Sequence, residues 1–100
     1  MPHFDLMFEA SPGAPLLTWR SMEWPIERET ELTKLDDHRP AYLEYEGPIS
    51  NDRGHVKRAA GGTCEMFWPN AHECRVRLDD SADAIQLKQM DDDHWLATRE

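Results

Sequence analysis

From His3 to Glu9 the chain alternates: Phe4, Leu6 and Phe8 point one way, and His3, Asp5, Met7 and Glu9 point the other. Period two predicts a strand whose aromatic and aliphatic face enters a core. Ser11-Pro12-Gly13-Ala14-Pro15 has the composition of a turn. Leu16 to Arg20 follows as a second short strand, so the opening reads as a hairpin. Between Ser21 and Leu35 two readings stand. Pro25 ahead of Glu27, Arg28, Glu29 and Glu31 suits a helix start, whereas Thr30, Leu32 and Thr33 suit an edge strand. Extended chain is the expectation there.

Pro40 and Pro48 bracket a predicted strand, Ala41 to Glu46, with Tyr42, Glu44 and Glu46 opposite Leu43 and Tyr45. Asn51-Asp52-Arg53-Gly54 predicts a turn and His55 to Ala60 a strand. Gly61-Gly62 supplies the positive φ of a tight hairpin, and Thr63 to Trp68 returns. After a turn at Pro69 to His72, Glu73 to Leu78 alternates, with Cys74, Val76 and Leu78 inward and Glu73, Arg75 and Arg77 outward. Asp79 to Asp83 is an acidic turn. Ala84 to Met90 and Trp95 to Arg99 are the last strands, joined by Asp91-Asp92-Asp93-His94. Short strands between regular turn signals predict an all-β fold: one domain over residues 1–100, a small compact β-barrel of short, mostly antiparallel strands.

Composition narrows what such a barrel does. The apolar fraction of 39% supports one modest core, in which four tryptophans and three phenylalanines bury the most area. The net charge of −9 repels phosphate chains at long range, so a general electrostatic nucleic-acid binder is not expected. A local cationic spot still suffices for one phosphate. No apolar run approaches the roughly 18 residues of a membrane span, so no membrane partner is expected. The N-terminal Met-Pro-His-Phe-Asp lacks the basic region and apolar stretch of a signal peptide. Cys64 and Cys74 form no C-x-x-C pair, and with no export signal they are expected as thiols in a reducing cytoplasm.

Asp36-Asp37-His38-Arg39-Pro40, with Tyr42 four residues beyond His38, gathers acid, imidazole and phenol at the mouth of the predicted strand. His3 and Asp5 project from one face of the first strand. Together with these, the runs Leu17-Thr18-Trp19, Glu46-Gly47, Gly54-His55-Val56, Gly61-Gly62-Thr63 and Trp95-Leu96-Ala97-Thr98-Arg99 occur in a fixed order over nearly the whole chain. In that order they resemble the 3′-phosphoesterase domain of bacterial DNA ligase D, and more closely the short stand-alone relatives of that domain. The pairing of His-x-Asp with Asp-His-x-x-x-Tyr is the most specific part.

The resemblance implies a β-barrel with a curved groove and a divalent metal, Mn2+ in the first place with Zn2+ as the other option. It implies removal of ribonucleosides or phosphate from the 3′ end of a nucleic acid, alongside repair proteins, with a monomer assumed. On that pattern His3 and Asp5 match metal ligands, His38 matches the histidine on the scissile phosphate, Tyr42 stands beside it, and Asp36 supports the imidazole. Three departures bear on activity. The family's further metal-ligating histidine would lie upstream of His3. Met7 stands where the family has a phosphate-clamping arginine, and Ser21-Met22-Glu23 offers no cation where a lysine is expected. Phosphoryl transfer depends on such charge stabilisation, so activity is expected to be weakened or lost. The alternative is a catalytically silent nucleic-acid or protein interaction module on the same barrel.

Plainer roles compete at each position. His3 and Asp5 have donor types suited to manganese or zinc, and equally suit a solvated terminal strand. His38 reads as a phosphate contact or as a histidine closing a turn and bonded to backbone. Tyr42 reads as a site hydroxyl or a half-buried aromatic. Arg53, His55 and Lys57 share a face as a basic cluster, with charge protection of an edge strand the stronger reading. Cys64, Cys74 and His72 match no standard zinc spacing, and Asp91-Asp92-Asp93 lacks the Gly and Glu of an EF-hand loop.

Overall fold

Alternating burial builds the sheet strand by strand. The computed structural model describes residues 3–43, 47–48, 55–56, 62–78 and 84–100. Its strands are β1 (Phe4–Phe8), β2 (Leu16–Ser21), β3 (Thr30–His38), β4 (Gly47–Pro48), β5 (His55–Val56), β6 (Cys64–Asn70), β7 (Glu73–Leu78), β8 (Ala84–Gln89) and β9 (His94–Arg99). Among the described residues, seven of them form one antiparallel sheet in the order β1-β2-β3-β9-β8-β7-β6, and β4 pairs with β5 separately. The sheet curls into a half-barrel, so the expected all-β architecture holds.

One face of every strand in the large sheet feeds the core. Leu6 faces Trp19, Ser21 faces Leu32, Leu32 faces Trp95, Ala97 faces Leu87, and Leu87 faces Cys74. These positions, with Phe8, Ile26, Val76 and Ile85, form a continuous buried cluster. Trp19 is its largest fully buried member. It meets Phe8 at 6.0 Å between ring centroids and Trp95 edge-on at 5.3 Å. Offset and edge-to-face rings place the positive edge of one on the negative face of the next. Lys34 Nζ lies 5.2 Å from the Trp19 ring and adds a cation over that face.

Three local expectations are corrected. Residues 30–38 are not an edge strand: β3 lies inside the sheet, because Thr30 and Leu32 find Ala97 and Trp95 across from them. The extended chain expected up to Leu35 is found in β3, and no helix starts at Pro25. Pro40–Leu43 is a 3-10 turn rather than the start of a strand. His55–Val56 pairs with Gly47–Pro48, not with the strand after Gly62. The elements expected over Glu44 to Glu46, Asn51 to Gly54, Lys57 to Gly61 and Asp79 to Asp83 lie outside the described residues. The β1–β2 hairpin, the β7 alternation and the exposed turn at Asp91, Asp92 and Asp93 are as expected.

Candidate functional site

The outer face of β1 carries Asp5 because Phe4 and Leu6 turn inward on either side of it. The hairpin register sets Asp5 directly opposite Arg20, which follows the buried Trp19 and so turns outward. Arg20 donates from Nε to Asp5 Oδ1 at 3.1 Å. His3 Nε2 approaches the same oxygen at 3.8 Å. The guanidinium and imidazole are 43% and 42% exposed, the Asp5 carboxylate 24%, so both side chains face solvent around a half-covered anion. The row continues across the sheet through Thr33 to His94, which pairs with Glu31 at 3.1 Å. Arg20 is the residue that the sequence pattern had not marked.

His38 ends β3, opposite Leu16. Its Nδ1 lies 2.9 Å from the carbonyl oxygen of Asp36, which only accepts, so that nitrogen carries the proton. Asp36 therefore supports the imidazole through its backbone, while its side chain is exposed. The neighbouring Asp37 pairs with Lys34 at 3.5 Å. Tyr42 lies in the 3-10 turn, and its side chain is outside the described residues.

The two halves of the expected site do not meet. Asp5 is registered to Arg20 and His38 to Leu16, four residues apart along β2 and roughly 13 Å at about 3.3 Å per residue. Between them Thr18, on the same face as Arg20, is fully buried, and the pairing of β2 with β3 shifts register between Leu16 and Thr18. One phosphate cannot bridge that span.

No protein-family model matches the chain, and neither curated proteins nor solved structures give a match. The likeness to the ligase D phosphoesterase domain therefore rests on this chain's own residues. Among the described residues no helix is long and apolar enough to cross a membrane.

Among the described residues the donor set at this face falls short of a full shell for a divalent cation. Among the described residues no three His, Cys, Asp or Glu side chains gather as a metal site. Zinc takes four ligands and harder divalent ions about six, whereas His3 and Asp5 supply two. Arg20 already occupies the Asp5 oxygen. Elsewhere, two open grooves flank the loop between β2 and β3. One holds Phe4, Trp24 and Arg28, the other Met22, Met90, Leu96 and His94. Cys64 and Cys74 are not disulfide-bonded, and His72 Nδ1 lies 2.6 Å from Gln89 Oε1.

Proposed function

We propose that this chain engages nucleic-acid 3′ ends as a member of the DNA ligase D 3′-phosphoesterase kind, with hydrolysis weak or lost. The observation that carries the reading is the gathering of His3, Asp5 and Arg20 on the open outer face at one end of the β1–β2 hairpin. A phosphate ester there meets a guanidinium and an imidazole, in a protein whose net charge otherwise repels it. Hydrolysis needs more: a group that activates water and cations that stabilise the charge developing on the phosphoryl oxygens. His38 stands too far along β2 to act on the same phosphate. It would meet the nucleic-acid strand further along.

The test is a titration of isotopically labelled protein with an oligonucleotide ending in a 3′-phosphate, with and without manganese, while free phosphate is measured. The expected result is movement of the His3, Asp5 and Arg20 signals without multiple-turnover release. Absence of movement at millimolar oligonucleotide would sink the reading. Sustained turnover with manganese would show a complete catalytic site and overturn the loss of activity. His38→Ala is expected to keep the fold, since the imidazole is partly exposed, and to weaken oligonucleotide binding while leaving any slow release at the 3′ end unchanged. Loss of release would put His38 at the scissile phosphate and overturn the separation of the two halves.

A second reading, a protein interaction module, draws support from exposed apolar side chains. Met22 and Met90 are 53% and 50% exposed in one groove, and Phe67 is 64% exposed on the outermost strand β6. Met-lined surfaces re-pack readily around partners.

A further inference from the structure

We infer that Arg20 takes the place of a bound metal in this site, its guanidinium being the cation that receives a terminal phosphate monoester. The inference rests on the reading that the chain engages nucleic-acid 3′ ends, and says how. Three observations lead to it. First, the Asp5 carboxylate, the better of the two donors the first strand offers a metal, is held by Arg20 Nε at 3.1 Å. A divalent cation would have to displace a fixed positive charge to reach it, and would gain only His3 as a second ligand. Second, the contact runs through Nε alone. A guanidinium carries five N–H donors in one plane, so anchoring Nε fixes the plane and leaves the Nη1–Nη2 edge to offer parallel bonds to two phosphate oxygens. Third, Arg20 is set by register rather than by chance. It lies between the fully buried Trp19 and Ser21, and its backbone is paired on one side with Asp5 and on the other with Thr33.

In this arrangement Asp5 is a positioning residue. It touches the arginine, not the ligand, and its role is to aim the fork. His3, 3.8 Å from the same oxygen, supplies a second donor to the phosphate. The nearest acid on the adjoining strands of that face is Glu31, which is engaged by His94. The site thus presents a guanidinium, with an imidazole beside it, where the surrounding protein is acidic, and it needs no metal to do so.

Fluorescence anisotropy with a labelled oligonucleotide ending in a 3′-phosphate, measured in EDTA and again in manganese, tests this. Wild type should bind equally well in both. Arg20→Ala should weaken binding in EDTA at least about tenfold, the loss of a charge-assisted pair. A probe ending in a 3′-hydroxyl should bind weakly to both proteins. Arg20→Lys keeps the charge without the fork, and should recover only part of the affinity. Paramagnetic broadening of the His3 and Asp5 signals should need more manganese in wild type than in Arg20→Ala, where the carboxylate is released. Unchanged circular dichroism shows that both variants fold. If binding appears only with manganese, or Arg20→Ala binds as wild type does, the inference is overturned and the 3′-end reading stands. If wild type binds the phosphate-ended probe under neither condition, both fall.

Discussion

Trp19→Ala is expected to lower the stability of the domain by about 3–5 kcal/mol, the range for deleting a buried aromatic ring. Trp19 is 0% exposed, and its ring touches two others across three strands: Phe8 on β1 and Trp95 on β9. The cavity would open at the centre of the half-barrel, where β1, β2, β3 and β9 converge, and rigid strand pairing on both sides limits how far the walls collapse. Domains of this size hold about 5–15 kcal/mol in total, so the variant should melt roughly 15–30 °C lower. Trp19→Phe is the informative control. The indole N–H of Trp19 is buried without a hydrogen-bond partner among the described residues, as is that of Trp95. An unpaired buried donor costs about 1–3 kcal/mol. Replacing the indole by a phenyl ring removes that cost along with part of the volume, so Trp19→Phe should be far milder than ring size alone predicts. Urea unfolding followed by near-ultraviolet circular dichroism measures both. A loss below about 1 kcal/mol for Trp19→Ala would mean that the core does not centre on this ring.

Where the sheet was legible in the sequence, period two made it so. β1, β2, β7, β8 and β9 each place apolar residues at alternate positions, and each strand reads from its own residues. β3 was obscured because Thr30 and Thr33 look alike in sequence, yet Thr30 is buried against Ala97 and Thr33 lies on the exposed face opposite His94. Period two groups Thr30 with the buried Leu32 and sets Thr33 opposite. The interior place of β3, however, depends on a partner strand more than sixty residues away, and no local pattern carries it. The run after Pro40 misled for the opposite reason. Tyr42-Leu43-Glu44-Tyr45-Glu46 alternates, but proline fixes its own φ near the helical value, and Pro40–Leu43 closes as a 3-10 turn.

The site was legible to the same depth. Period two put His3 and Asp5 on one face, and the structure has them within 3.8 Å. What the pattern did not supply is register. Asp5 meets Arg20 only because the turn between β1 and β2 sets Phe8 opposite Leu17. A slip of one residue would have faced Asp5 with Trp19 or Ser21. The same register separates His38 from Asp5, so two motifs that read as one site in sequence fall at opposite ends of β2. Side-chain chemistry was visible in the chain; its assembly is a property of strand pairing.

Alkali should destabilise the domain through Cys74. This thiol is 1% exposed between Leu87 and the outer strands, and burial pushes its pKa up to about 12, with the nearby Cys64 thiolate adding repulsion. The folded protein therefore keeps the proton at pH values where an unfolded chain has released it. Below about pH 9 both states hold the proton and Cys74 adds no pH dependence. As pH rises from about 9 towards 12, only the unfolded state ionises, and stability falls. The gap between the ordinary thiol value and about 12 corresponds to on the order of 4 kcal/mol lost across that window. Cys74→Ala removes the ionisable group, leaving a small cavity that costs stability at every pH but flattening the alkaline limb. The measurement is urea stability at half-unit steps from pH 7.5 to 11.5 for both proteins, compared as a difference so that lysine and tyrosine titrations cancel. The two curves should approach one another above about pH 9. Parallel curves would mean that Cys74 ionises in the folded state as readily as in the unfolded one. A thiol reagent gives an independent reading at pH 8: Cys74 should react only at the rate at which the sheet opens, slowing with every change that stabilises the fold.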